Sequence, residues 1–225
     1  MELAIFDLDG VIVDTAKYHY LAWKRLAEEL EIPFTLDDNE RLKGVSRMRS
    51  LQILLELGGR SQSAQEKERL AARKNTWYMQ YIERMGPNEI LPGVLPFLAA
   101  LKQHGVKTAL ASASKNARFI LTKLHLTQEF AAIVDGNSVS KAKPDPEGFL
   151  LAASKLGINP AAAVVFEDAP AGIVAAQRAG MLAVGIGSAS ALAGADLILP
   201  GFGEMAPELL LLTLRDMIFC KGDSL

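Results

Sequence analysis

The chain has 225 residues, of which 50% are hydrophobic and 22% charged, and its formal net charge is −2. This composition is typical of a globular protein with one large α/β domain, or with a domain that carries a smaller one. The near-neutral charge provides no basic surface for nucleic acid, no apolar run reaches the roughly 20 residues of a membrane span, and the single cysteine, Cys220, excludes a disulfide framework. We expect a soluble, cytoplasmic monomer that binds neither nucleic acid nor membrane.

The first predicted strand begins at Leu3 and ends in two carboxylates, Asp7 and Asp9, followed by Gly10. Alternate residues of an extended chain lie on the same face, so both carboxylates can face one site. Adjacent carboxylates repel each other unless a cation lies between them or one stays protonated, and Mg²⁺ prefers such hard oxygen ligands. An ordinary strand end followed by a polar turn is the alternative, and this stretch alone does not decide between them.

A helical region follows the first strand. Apolar residues recur at helical spacing after Asp14-Thr15, and further helical patterns cover Arg47 to Leu57 and about 63–85. No strand-like pattern interrupts this region. We therefore predict a helical insertion that is its own subdomain at 16–90, and an α/β core domain formed by 1–15 and 91–225.

The alternation of strands and helices resumes after Leu91. Short apolar runs predict strands, and helical patterns lie between them. Such alternation implies a Rossmann-like, doubly wound parallel sheet with helices on both faces. Strands are predicted at 106–111, 131–134 and 163–166, edge strands at 182–186 and 196–199, and a closing helix at 208–219.

Polar residues follow several of these strands. In an open parallel sheet, ligands bind beyond the carboxyl ends of the strands, and the residues expected there are Asp7, Asp9, Ser112, Lys143, Glu167 and Asp168. They combine metal-binding carboxylates, a hydroxyl and an ammonium without a glycine-rich nucleotide loop. That set suits phosphoryl transfer, in which Mg²⁺ and a lysine neutralise phosphate oxygens while a carboxylate attacks the phosphorus.

These motifs resemble those of the haloacid dehalogenase-like superfamily. The matching residues are Asp7-Leu8-Asp9-Gly10-Val11, Ser112, Lys143-Pro144 and Glu167-Asp168. The helical insertion is similar to the small cap domain of that superfamily. More specific matches resemble its β-phosphoglucomutase family, and they comprise Asp14-Thr15, His19, Trp23, the segment 42–47 with sequence LKGVSR, Arg73-Lys74-Asn75 and the segment 111–116 with sequence ASASKN.

The resemblance implies roles for the residues at the strand ends. Asp7 would be the nucleophile that forms an aspartyl-phosphate, and Asp9 would be the general acid and base. Asp7, the backbone carbonyl of Asp9, and Asp168 would hold Mg²⁺, with Glu167 in or beside the metal shell. The phosphate in transfer would be bound by Ser112 and Lys143.

The resemblance also implies a substrate. Arg47, with Lys115 and Asn116, would bind the second phosphate of a hexose phosphate, while His19, Lys43 and Lys74 would engage the substrate when the cap closes and Thr15 would help to position the hinge. The remaining expected substrate-binding residues are Trp23, Gly44, Val45, Ser46, Ala113 and Ser114. The implied reaction interconverts β-glucose 1-phosphate and glucose 6-phosphate, with β-glucose 1,6-bisphosphate as intermediate and activator.

Simpler explanations exist for several of these residues. Taken alone, His19 resembles a surface histidine or one whose hydrogen bonds are satisfied within the fold. Trp23 could be ordinary core, and Lys43 and Lys74 could be solvated charges. Lys141 competes with Lys143 for the phosphate role, although the following proline favours Lys143. A sugar-phosphate phosphatase of the same superfamily would share the chemistry of Asp7 and Asp9, and a binding protein that kept the fold is the alternative from another functional class.

Overall fold

Within the residues that the structure describes, 1–42 and 45–222, the strands form one parallel sheet. This computed structural model contains β1 (Leu3–Phe6), β2 (Lys107–Ala111), β3 (Ala132–Val134), β4 (Ala163–Glu167), β5 (Leu182–Ile186) and β6 (Leu197–Leu199). The strand order is β3-β2-β1-β4-β5-β6, and every neighbouring pair is parallel. The predicted doubly wound sheet is confirmed, whereas Lys43 and Gly44 lie outside the described residues.

The helices alternate with these strands after an initial helical region, which we define as residues 16–90. That region contains α1 (Ala16–Glu29), α2 (Leu36–Glu40), α3 (Arg47–Leu57) and α4 (Ala64–Ile82). The later helices are α5 (Val94–Gln103), α6 (Ala117–Lys123), α7 (Glu147–Leu156), α8 (Pro170–Arg178) and α9 (Pro207–Gly222). No helix in the described part of the chain is long and apolar enough to cross a membrane.

Two features differ from the sequence prediction. The strand predicted at 182–186 as an edge strand is interior, because β5 lies between β4 and β6. All five of its residues are buried, as expected for a strand covered on both faces. The five-residue helix α2 was not predicted because it is too short to show helical periodicity. Its local signal is a capping box, in which the side chains of Thr35 and Asp38 each bind the other's backbone N–H.

Side chains from both faces of the sheet form the core. Phe6 and Phe166 lie opposite each other on β1 and β4 and stack with ring centroids 4.8 Å apart. Phe97 and Phe202 pack edge-on or tilted against this pair. The strands are buried along most of their length, and Asp7, Ser112 and Glu167 lie at or directly after their carboxyl ends.

The helical region is joined to the sheet by two adjacent chain segments. Val13 forms an isolated antiparallel bridge with Ile90, and the Leu91 N–H donates to the Ile12 carbonyl over 2.9 Å. We call this pair of segments the crossing. Within the helical region, α1 and α3 both pack against α4. This packing makes the helical region one unit, and residues of that unit line a common cavity with residues at the carboxyl ends of the strands. The domain boundary between 15 and 16 and between 90 and 91 stays a prediction.

Candidate active site

The turn after β1 presents two carboxylates to one side of the sheet. The Asp7 N–H still donates to the Phe166 carbonyl, at 2.9 Å, and the Asp9 N–H donates to Asp7 Oδ2 at 3.0 Å. Gly10 follows with φ +76°, and a Cβ at this position would lie 2.1 Å from Asp168 Oδ2. A glycine is therefore required here, both for the backbone conformation and for the approach of Asp168 to the turn.

Lys143 joins the carboxylates of two strand ends. Its Nζ lies 2.5 Å from Asp7 Oδ1 and also contacts Glu167 Oε1. Burial opposes the charge on the ammonium, but Asp7 and Glu167 more than offset this effect and raise the pKa of Lys143 above its ordinary value. Lys141 instead lies 3.6 Å from Asp145 on the surface. Of the two competing lysines, only Lys143 therefore reaches the carboxylates.

Glu167 lies beneath the site and both of its oxygens are engaged. Oε1 contacts Lys143, and Oε2 accepts a hydrogen bond from the Ala169 N–H at 2.9 Å. The side chain is fully buried. The next helix, α8, begins at once, with Pro170 in its first turn. Glu167 therefore holds Lys143 in place more directly than it faces a ligand.

Asp9 and Asp168 are carboxyl groups whose surroundings disfavour the negatively charged form. Burial, with repulsion from Asp7, raises the pKa of Asp9 to about 7, although the Thr15 hydroxyl donates to Asp9 Oδ1 and lowers it. Burial and repulsion from Glu167, Asp7 and Asp9 raise the pKa of Asp168 to about 9. A divalent cation would relieve this repulsion.

The donor chemistry fits the predicted magnesium site. Within residues 1–42 and 45–222 no three His, Cys, Asp or Glu side chains are arranged to hold a metal ion. The predicted set comprises the side chains of Asp7 and Asp168 and the main-chain carbonyl of Asp9, with Glu167 in or beside the metal shell; in the structure Glu167 contacts Lys143 and the Ala169 N–H instead. These are oxygen donors of the kind that Mg²⁺ prefers.

The β2 loop, which we define as residues 112–116, lies beside Asp7. Ser112 is buried, and its Oγ accepts from the Ser114 N–H at 3.1 Å. The Ser114 side chain in turn accepts from the Asn116 N–H at 3.2 Å. Gly136, after β3, donates from its N–H to the Ser114 carbonyl at 3.2 Å. These contacts give the loop a defined shape at the edge of the site.

The helical region contributes a buried cation to the same site. Lys74 is 1% exposed, and its Nζ lies 2.8 Å from His19 Nδ1 and 4.6 Å from the ring centroids of Trp23 and Tyr78. Burial, followed by the charge of Arg47, lowers the pKa of Lys74 well below its ordinary value. Lys74 is thus not a solvated surface charge.

His19 is the hydrogen-bond partner of this lysine. Burial, followed by repulsion from Lys74 and Arg47, lowers its pKa well below 6.5. A neutral imidazole accepts a hydrogen bond from the Lys74 side chain through Nδ1 when the ring proton is on Nε2. A solvated surface histidine would have neither this lowered pKa nor the hydrogen bond to buried Lys74.

Arg47 begins α3 behind a serine cap. The Ser46 Oγ accepts from the Arg49 N–H at 3.3 Å, which is the contact of a helix N-cap. Burial lowers the pKa of Arg47 below its ordinary value. Among the described residues, no side chain hydrogen-bonds to or forms an ion pair with its guanidinium. The guanidinium is therefore available for an anion from the cavity that it lines.

One cavity of about 990 Å³ collects almost all of the predicted site residues. From the sheet they are Asp7, Asp9, Ser112, Ala113, Ser114, Lys115, Asn116, Lys143 and Asp168; from the helical region and its connection they are Thr15, His19, Trp23, Val45, Ser46, Arg47 and Lys74. Glu167 is the described residue of the predicted set that does not line it. The cavity is large enough for a hexose carrying two phosphates.

Several cavity-lining residues had no role in the sequence prediction. Asn75, which belongs to the family match Arg73-Lys74-Asn75 but was assigned no role, accepts a hydrogen bond from the Asn116 side chain at 2.8 Å. Residues 200–204 line the cavity after β6. No chemical motif marks that segment, so only the folded chain reveals it.

The comparisons with known proteins agree with this geometry. The family model for haloacid dehalogenase-like hydrolases matches residues 1–180. The chain belongs to this family. Membership of the haloacid dehalogenase-like family implies dependence on Mg²⁺ and a phosphorylated aspartate.

Individual relatives within the family show which enzymes the chain is similar to. The chain is 47% identical over 212 residues to a β-phosphoglucomutase of Bacillus subtilis, covering 93% of this chain and 94% of the relative. It is 34% identical over 184 residues to a phosphorylated carbohydrates phosphatase of Thermotoga maritima, covering 80% and 82%. The crystal structure of a β-phosphoglucomutase from Clostridium difficile matches with a TM-score of 0.93 and 41% identity, over 97% of this chain and 99% of that one.

Proposed function

We propose that this protein is a β-phosphoglucomutase, an isomerase that interconverts β-glucose 1-phosphate and glucose 6-phosphate. The observation that carries the proposal is the single cavity in which phosphoryl-transfer residues on the sheet face Arg47, Lys74 and His19 on the helical region. A site with only the first set could transfer a phosphoryl group to water. The second set provides positive charge where the other end of a phosphorylated sugar would lie.

Asp7 acts as the nucleophile in this proposal. Its carboxylate attacks the phosphorus of β-glucose 1,6-bisphosphate, the bond between phosphorus and the sugar oxygen breaks, and an aspartyl-phosphate forms. Lys143, held against Asp7 at 2.5 Å, and Ser112 bind the oxygens of the group in transfer. Asp7, the carbonyl of Asp9, and Asp168 would hold Mg²⁺, which would supply further charge neutralisation when bound.

Asp9 moves the proton. When the C6 hydroxyl of β-glucose 1-phosphate attacks the phosphorylated Asp7, Asp9 takes the hydroxyl proton and the bisphosphate forms. After the bisphosphate turns around, the C1 phosphoryl group passes to Asp7 and Asp9 returns the proton to the C1 oxygen, which releases glucose 6-phosphate. A pKa of about 7 suits a group that both accepts and donates a proton near neutral pH.

The second phosphate is bound from the helical region. Arg47 offers a planar fork that grips phosphate oxygens in pairs, and Lys115 and Asn116 approach from the β2 loop. His19 and Lys74 bind the sugar part of the substrate. Lys43, which lies outside the described residues, binds it with them. The helical region, 16–90, acts as a cap on the core formed by 1–15 and 91–225.

Closure of this cap explains how a mutase avoids hydrolysis. Water is smaller and far more abundant than a sugar hydroxyl, so the site must exclude it until the sugar is bound. Thr15, which binds Asp9 and directly precedes α1, links cap position to the proton-transfer group. One chain supplies every side chain named here, which supports a monomer. The proposed location of the protein is the cytoplasm.

Phosphorus NMR tests the proposed function directly. The protein is incubated with Mg²⁺, β-glucose 1-phosphate and a trace of glucose 1,6-bisphosphate. Glucose 6-phosphate without comparable free phosphate is the expected result, and a lag should appear when the bisphosphate is omitted. Free phosphate as the main product would instead favour a phosphatase, the activity named for the Thermotoga maritima relative.

A further inference from the structure

One hydrogen bond joins the helical region to the β2 loop. The Asn116 Nδ2 donates to the Asn75 Oδ1 at 2.8 Å, although the two residues lie 41 positions apart. Both side chains are half-buried and both line the cavity. The contact therefore closes the site at the position where the phosphate-binding loop meets the helix above it.

The helical end of this contact is held firmly. Asn75 follows Lys74 on α4, and successive residues of a helix point about 100° apart. Lys74 is buried against His19, Trp23 and Tyr78, so the rotation of α4 is set by a buried anchor. That anchor directs Asn75 towards the β2 loop.

The sheet end is held equally firmly. The Asn137 Nδ2 donates to the Lys115 carbonyl at 3.2 Å, and the Gly136 backbone lies so close to Ala113 that a Cβ on Gly136 would be 2.3 Å from the Ala113 oxygen. Buried Asp135 accepts from the Asn137 N–H at 3.0 Å. The β2 loop is therefore supported from the sheet side, and Asn75 is its contact from the helical side.

We propose that Asn75 is a positioning residue that latches the helical region onto the β2 loop by accepting a hydrogen bond from Asn116. The inference rests on the proposed function, because the latch orients Asn116 for the second phosphate and keeps the helical region closed over phosphorylated Asp7. Loss of the latch lets water compete with the sugar hydroxyl. Asn75 thereby favours transfer to sugar over hydrolysis.

The test compares Asn75→Ala with Gln80→Ala, which removes an exposed amide from the same helix. For each full-length protein, the share of β-glucose 1-phosphate that ends as free phosphate is measured together with KM for glucose 6-phosphate formation. We expect N75A and N75S to raise both quantities roughly three- to tenfold, the range typical of one side-chain hydrogen bond. The Q80A variant should match the wild type, and an unchanged hydrolysis share in N75A would overturn the proposal.

A double-mutant cycle separates the latch from a direct contact between Asn75 and the substrate. Because Asn75 acts through Asn116, the effect of N75A should disappear when Asn116→Ala is already present. An effect of N75A that persists at full size in the N116A background would overturn the latch.

Failure of the latch can be distinguished from failure of the proposed function. If the wild-type protein forms no glucose 6-phosphate, the function is wrong, and the latch is then tested without substrate. Amide hydrogen exchange in residues 114–116 should be faster in N75A than in Q80A. Equal exchange in the two variants would overturn the latch whatever the reaction.

Discussion

The environment disfavours negative charge on one side of the cavity and positive charge on the other. On the sheet side, Lys143 is shared by Asp7 and Glu167, while burial and mutual repulsion raise the pKa values of Asp9 and Asp168. On the helical side, burial lowers the pKa values of Lys74, His19 and Arg47. The comparison indicates that each side is prepared for a different charge, a cation near the carboxylates and a phosphate near Arg47.

The two sides also differ in how they are held. The sheet side is built on strand ends and is locked by an ion-pair network, so its geometry is set before any ligand arrives. The helical side reaches the sheet through the crossing near Val13 and Ile90 and through contacts such as that of Asn75 with Asn116. We therefore propose that the sheet side carries the chemistry and that the helical side carries the substrate discrimination.

The largest effect should follow from removing the nucleophile. Asp7→Asn should lower glucose 6-phosphate formation by about 10⁴-fold or more, because the covalent route through an aspartyl-phosphate is lost. Steady-state kinetics and acid-quenched phosphorylation measure this loss. Asp37→Asn, on the exposed first turn of α2, serves as control, and a D7N variant that kept its turnover would break the assignment of chemistry to the sheet side.

Removing the shared lysine tests the ion-pair network through stability. Lys143→Met leaves Asp7 and Glu167 buried without a cationic partner and should lower the free energy of unfolding by about 3–5 kcal/mol. Urea denaturation measures this change, and exposed Lys141→Met should leave stability nearly unchanged.

The pH dependence of the same variant gives a second measurement. Carboxyl groups whose folded pKa is raised bind more protons in the folded than in the unfolded state, so K143M should regain stability as the pH falls towards 5. A loss in K143M no larger than that in K141M would show that the network does not hold the sheet side.

A substitution on the helical side should have a smaller effect than loss of Asp7, and it should lower mutase turnover selectively. Arg47→Ala should lower mutase turnover by about 10²-fold, the value of one bidentate phosphate contact, while hydrolysis of p-nitrophenyl phosphate stays nearly unchanged. Arg49→Ala is the matched control, because Arg49 lies on the same helix and pairs on the surface with Glu56. Equal loss of both activities in R47A would contradict the division of roles between the sides.

The smallest effect concerns the neutral histidine. Because the folded pKa of His19 is depressed, the unfolded state binds more protons below pH 6.5, and stability should fall as the pH drops, by up to about 1.4 kcal/mol per pH unit. Comparison of the wild type with His19→Gln by urea denaturation between pH 7 and 5 isolates this slope. Exposed His104→Gln should keep the wild-type slope, and an H19Q variant with an identical slope would mean that His19 is not buried as a neutral base.

Much of the fold followed from local patterns. The predicted limits of α3 match the structure, because Ser46 is a recognisable N-cap and the following glycine pair ends the helix. The parallel sheet followed from the alternation of apolar runs and helical patterns. The position of β5 did not follow, because strand order depends on which strands pair across the sheet, and a short apolar run is the same at an edge or in the interior.

The sequence by itself indicated which candidate groups follow the strands, since strand ends can be located from short-range periodicity, and the family resemblance suggested their roles. Only the tertiary structure decided how the groups are paired. Lys143 and Asp7 are 136 residues apart, and Asn116 and Asn75 are 41 apart, so neither contact is visible in any local pattern. Burial decided the environment of each group. A lysine on an exposed helix face is solvated, whereas folding removes the water around Lys74.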